Sequence, residues 1–173
     1  MSFDLLETML FEYKRKEIFL LDRHLRRLSA SAAYFNFRCS IDDIRTRLLS
    51  IASGQKDEDA NFFEKNGEAD CIARLTVSQL GDATVELRRL RPIQDPCHIS
   101  LSLEPVSSAN LDLRHKTTNR NLYTHLLSQV QEKFNNIWDV ILYNEREFRM
   151  LNSPLVVDIL GNWNPSNLVR SQP

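Results

Sequence analysis

The sequence predicts an α+β protein, and three observations carry that expectation. Short apolar and aromatic runs bounded by turn signals, such as 71–77 and 84–87, have the length and composition of strands. Two apolar stripes recur at helical spacing: Leu25, Leu28, Ala32 and Phe35, then Leu122, Leu126, Val130 and Phe134. Elements of one type are grouped along the chain, in the order ββααββ(β) and then αββ, with no steady strand–helix alternation. The 173 residues, 42% hydrophobic and 26% charged, are enough for a packed core and exclude disorder throughout.

Residues 3–13 and 17–21 read as two strands joined by a tight turn at the charged cluster 13–17. Asp22 stands where an N-cap belongs, and the helix that follows should end near Asn36. Ser40 with Asp43 three residues later resembles a capping box for a second helix, whose buried stripe is Ile44, Leu48 and Ile51. From 53 to 69 the chain turns polar and is expected to be a mobile loop, because little apolar surface offsets its ordering entropy. Gly81-Asp82, between the strands at 71–77 and 84–87, signals a two-residue hairpin. Ile99, Leu101 and Leu103 alternate with polar residues as another strand, among the linker prolines Pro92, Pro96 and Pro105. A helix from Asn119, a buried strand at 140–143 and a last strand at 155–159 complete the pattern.

A net charge of −1 argues against broad electrostatic attraction to nucleic acid or anionic membrane. No run approaches the roughly 20 apolar residues that span a bilayer, and the acidic start Met1-Ser2-Phe3-Asp4 is unlike a secretory signal. Cys39, Cys71 and Cys97 are odd in number and far apart, as expected of reduced thiols in a cytoplasmic protein. The four histidines form no metal-binding spacing, so no metal is expected. Only four glycines are present, few for a protein that cradles phosphate in backbone loops.

The densest polar cluster is Arg114-His115-Lys116-Thr117-Thr118-Asn119-Arg120, just ahead of a helix. Cationic neighbours lower the pKa of a lysine amine, as Schiff-base chemistry near neutral pH requires, although a solvated basic turn has the same composition. Arg23, Arg26 and Arg27 crowd the first helix. They form an exposed face, unless one turns inward to offer a phosphate its bidentate fork. Arg74, between apolar neighbours in a strand, either faces solvent or meets an anion in a cleft. Glu7, Glu12, Asp139, Glu145 and Glu147 are available carboxylates with no spacing that marks an acid–base pair.

Several segments together resemble the class IV pyridoxal-phosphate enzymes, which include aminodeoxychorismate lyases and the branched-chain and D-amino-acid aminotransferases. They are Phe3–Met9, the stretch Phe19–Leu28 on through Tyr34-Phe35, Pro105–Ser108, His115–Arg120 with Tyr123, and Asp139–Arg146. The pattern is most similar to the aminodeoxychorismate lyases. The resemblance implies a D-amino-acid aminotransferase-like fold, with an N-terminal α+β domain over 1–105 and the incomplete start of a cofactor-binding domain over 106–173. It implies pyridoxal 5'-phosphate as cofactor, Lys116 as its covalent partner and proton carrier, Arg27 on its phosphate, and Arg74 as a candidate for a substrate carboxylate. The implied reaction forms 4-aminobenzoate and pyruvate from 4-amino-4-deoxychorismate, in folate synthesis. The alternatives are transamination of branched-chain or D-amino acids and a non-catalytic remnant acting in oligomerisation. A small-molecule substrate, a homodimer in the cytoplasm, and no nucleic-acid or membrane partner are expected with it. Leu151 falls where relatives place the glutamate that faces the pyridine nitrogen, and relatives continue for a further half-domain beyond residue 165. A chain truncated at its C-terminus is therefore expected.

Overall fold

The computed structural model describes residues 3–53, 62–63, 65–90, 98–145 and 149–150. The chain forms two compact units, one built from residues up to 91 together with 115–119, the other from 92–114 and from 120 onward. The contacts of the short 115–119 segment are thus with the first unit, although it follows the linker prolines in sequence.

The first unit opens with β1 (Leu5–Glu12), which turns into β2 (Glu17–Ile18). Lys16 takes the left-handed conformation that closes this turn, and its ammonium lies 3.3 Å from the centre of the Tyr13 ring. The second strand is shorter than the expected 17–21. Leu20 adopts φ 56° and its carbonyl accepts from the backbone N–H groups of Arg23 and His24, so α1 (Leu21–Phe35) begins at once. Asp22 is therefore inside the first turn of α1 and does not cap it; there its charge favours the positive end of the helix dipole. Asn36 ends α1 in the left-handed conformation, its N–H donating to the carbonyls of Ala32 and Ala33.

The second helix, α2 (Ile41–Ser53), starts as its sequence implies, with Ser40 Oγ 3.4 Å from the backbone nitrogen of Asp43. Ile44, Leu48 and Ile51 are buried. Within the stretch expected to be a loop, residue 53 ends α2 and residues 62–63 and 65–66 are helical; residues 54–61 and 64 lie outside the described residues. The reason is apolar: Phe63 packs against Phe11 and Tyr13, with ring centres 5.6 and 5.0 Å apart. β3 (Cys71–Val77) and β4 (Ala83–Arg89) follow. Their last pair is Val77 with Ala83, so the connection has five residues, 78–82, where a two-residue hairpin was expected. Bonds from Gly81 N–H to the Ser78 carbonyl and from Ser78 N–H to the Asp82 carbonyl build this longer loop.

The strands form one antiparallel sheet in the order β2-β1-β3-β4. Leu5, Met9 and Phe11 of β1 and Cys71, Ala73, Leu75 and Val77 of β3 share the face packed against Leu25, Leu28, Leu48 and Ile51. The opposite face carries Leu6, Thr8 and Leu10 of β1 beside Thr76, Arg74 and Ile72 of β3.

The second unit holds β5 (His98–Leu101), a 3-10 turn at Leu111–Leu113, α3 (Asn121–Lys133), β6 (Ile137–Tyr143) and β7 (Arg149–Met150). β5 and β6 are parallel and β7 is antiparallel to β6, in the order β5-β6-β7. Parallel strands need a long crossover, which runs here through α3. Its core is Val106, Tyr123, Leu126, Val130, Val140 and Leu142. The strand expected at 155–159 and the position of Leu151 lie outside the described residues. Among those residues no helix is long and apolar enough to cross a membrane.

Candidate active site

Two segments use the same edge of β1, at opposite ends. β2 pairs with Phe11 and Glu12. The 115–119 segment pairs with the start of β1: Leu6 N–H donates to the Lys116 carbonyl at 3.0 Å, and Thr118 N–H donates to the Asp4 carbonyl at 2.9 Å. Thr118 Oγ1 also accepts from Asp4 N–H at 2.9 Å. These bonds place Thr117 directly opposite Leu5. Between them, residues 7–9 of β1 have no strand partner on this edge among the described residues.

The pairing decides where the side chains of the segment go. Thr117 is buried on the face of Leu5, the face that α1 covers. Alternation then puts His115 on that face too, and Lys116 and Thr118 on the other. His115 accordingly meets α1: its Nδ1 is 3.0 Å from Ser31 Oγ, its ring stacks on Tyr34 at 4.5 Å, and Phe35 meets it edge-on at 4.8 Å. Lys116, half-buried, shares the opposite face with Leu6, Thr8 and Arg74, since Arg74 is the direct partner of Thr8. Two of the three candidate residues, Lys116 and Arg74, are therefore on one side of the sheet. Arg74 is half-buried and opposes Glu86 across the β3–β4 pair.

Arg27, the third, is on the helix side. Arg23 and Arg26 are exposed, whereas Arg27 reaches back to β1 and grips Glu7. Arg27 Nε donates to Glu7 Oε1 at 2.7 Å and Arg27 Nη2 donates to Glu7 Oε2. His24 Nδ1 is 2.8 Å from the same Oε2. Burial pushes the Glu7 carboxyl up, but the hydrogen bonds from Arg27 and His24 and their charges together hold it below the ordinary carboxylate range. The bond to Glu7 raises Arg27 in turn, against the opposing effect of its partial burial. Glu7 is 1% exposed, while the Arg27 side chain keeps 47% exposure.

Glu7, His24, Ser31 and His115 were not picked out as site residues by sequence reasoning. Glu7 had a readable signal. It stands two residues from both Leu5 and Met9, so the period of β1 puts a carboxylate on a buried face, where it needs a cationic partner. His115 had none, because its partners are 84 residues away or packed by tertiary folding.

An amine at Lys116, beside Leu6 on one face of the sheet, and a guanidinium at Arg27, bound to Glu7 on the other, are thus both presented along the first half of β1. This donor set suits an elongated molecule with an electrophilic carbon at one end and an anionic group at the other. Among the described residues no group of three or more His, Cys, Asp or Glu could hold a metal ion.

Comparison with known proteins gives this arrangement a context. Residues 4–150 match the family model described as amino-transferase class IV. A Schizosaccharomyces pombe protein provisionally described as an aminodeoxychorismate lyase is 26% identical over 147 residues, which cover 84% of this chain and 57% of that protein. A solved structure from Mesorhizobium loti, provisionally described as an amino-acid aminotransferase, is 30% identical with a TM-score of 0.61, over 83% of this chain and 63% of the other. The branched-chain amino acid aminotransferase of Escherichia coli shares the fold at 15% identity and a TM-score of 0.55, over 85% of this chain and 50% of that one. The chain therefore spans between half and two thirds of the length of these relatives.

Proposed function

The chain belongs to the class IV aminotransferase family, and on that premise we propose that it is a pyridoxal-phosphate-dependent lyase of the aminodeoxychorismate type. The observation that carries the proposal is the presentation of Lys116, on a short segment bridged to β1 at Thr117 and anchored to α1 through His115. The residues present fit the cofactor. Lys116 supplies the amine that would hold its aldehyde carbon, and Arg27 supplies a guanidinium, half-exposed and held from behind by Glu7, for its phosphate. When bound, the cofactor supplies an electron sink for the bonds at the substrate's amine-bearing carbon. Lys116 then carries protons to and from that carbon, and Arg74 on the same sheet face binds a substrate carboxylate.

The lyase reading draws support from the relative in Schizosaccharomyces pombe, whose described activity is of this kind. Its products here would be 4-aminobenzoate and pyruvate, as in folate synthesis. A homodimer in the cytoplasm belongs to the same proposal. A second reading, transamination of a branched-chain or D-amino acid, is favoured by the likeness to the Mesorhizobium loti structure. One assay separates them. The chain with pyridoxal phosphate is given 4-amino-4-deoxychorismate, or separately an amino acid with a keto acid. Release of pyruvate with 4-aminobenzoate is the expected result; an amino-group exchange in the second mixture alone selects the transaminase, and turnover in neither contradicts an active enzyme.

A further inference from the structure

Core packing does not account for Glu7. Leu5 and Met9 flank it on the buried face of β1, and an apolar side chain there would bury without losing any hydration. A carboxylate at this position is retained only with partners, and it has two on α1. Arg27 binds it through Nε and Nη2, and His24 Nδ1 shares Oε2. The arrangement commits one edge of the guanidinium to Glu7. A guanidinium has five N–H donors in a rigid plane, so the donors of the far edge remain to be directed elsewhere, on a side chain that is 47% exposed. His24, itself mostly buried, fixes the carboxylate that fixes the arginine.

We infer that Glu7 is a positioning residue: with His24 it orients Arg27 so that the far edge of the guanidinium receives a phosphate monoester, and it thereby sets the preference for a phosphorylated over an unphosphorylated ligand. This rests on the reading that pyridoxal phosphate binds beside Lys116. Orientation and charge make opposite predictions about Glu7. By charge alone, removing the carboxylate leaves Arg27 more positive in effect and strengthens its hold on an anion. By orientation, the same change frees the side chain to sample other rotamers and weakens that hold.

The test measures equilibrium binding of pyridoxal phosphate and of pyridoxal by the full chain, as wild type and as E7Q, H24Q, R27K and E7Q/R27K. Borohydride reduction and peptide mass mapping locate the adduct. In E7Q, affinity for pyridoxal phosphate is expected to fall about tenfold or more, the size of one hydrogen bond to a charged group, with that for pyridoxal within about twofold. H24Q is expected to shift the same ratio in the same direction by a smaller factor. In the R27K background, E7Q should cost no further phosphate preference, because there is no fork left to orient. An E7Q protein with unchanged or stronger preference overturns the inference, as does equal loss for both ligands, which marks a merely structural role. Should E7Q not fold, an H24Q protein with the wild-type ratio overturns it equally. A wild-type chain with no adduct on Lys116 overturns the cofactor reading and this inference together, whereas an adduct with no E7Q effect overturns this inference alone.

Discussion

At the scale of single residues, the molecule concentrates its unusual electrostatics at the middle of β1. A carboxylate 1% exposed, bound by Arg27 and His24 of α1, ties sheet to helix by polar contacts where its neighbours do so by apolar packing. Because Arg27 is half-exposed, solvent screens part of the interaction, and E7Q is expected to lower unfolding free energy by about 2 kcal/mol in chemical denaturation. The pH dependence has a definite sign. The folded-state pKa of Glu7 is held below its ordinary value of 4.5, so its stabilising contribution is complete above that value and lost as pH falls through the lower folded value. The stability gap between wild type and E7Q should therefore narrow in acid below about pH 4. A gap that widens on acidification would contradict the pairing. Cys71 gives a separate check. Burial, and then the charge of Asp70, push its thiol up to about 11, and the residue is 1% exposed. Iodoacetamide at pH 8 should leave Cys71 unmodified in the folded chain and label it after unfolding.

At the scale of elements, local sequence patterns foretold existence better than endings. The stripes of α1 and α2 were legible because burial there follows the helical period: Leu25, Leu28 and Ala32, then Ile44, Leu48 and Ile51. Leu48, fully buried between helix and sheet, should cost about 3 kcal/mol of stability when changed to Ala. The start of α1 was not legible, since a leucine in the left-handed region does what an acidic side chain was expected to do. The β3–β4 loop was misread for a related reason. Gly81 is needed at φ 100°, but within a five-residue loop, where a Cβ would lie 3.2 Å from the Cβ and the carbonyl oxygen of Arg38. Gly81→Ala should accordingly destabilise by about 1–2 kcal/mol, read as a lower thermal midpoint with the fold retained. The pairing of 115–119 with β1 is the element that matters most for function, and no local signal announces it. It joins residues more than a hundred positions apart through backbone hydrogen bonds.

At the scale of the whole molecule, the α+β class followed from grouped elements, and the family from motifs spread along most of the chain. What composition and spacing could not reach was the side of the sheet each candidate occupies. Lys116 and Arg74 share one face and Arg27 holds the other, a consequence of strand register and of where α1 docks. The matched relatives are longer, so turnover by these 173 residues is the most demanding part of the proposal and cofactor attachment the more direct one. The decisive measurement is therefore reduction of the chain with borohydride in the presence of pyridoxal phosphate, followed by mass mapping of the modified peptide. One dominant phosphopyridoxyl adduct is expected on Lys116, absent from a Lys116→Ala protein. An adduct spread over surface lysines such as Lys14 and Lys16, or none at Lys116, would contradict it.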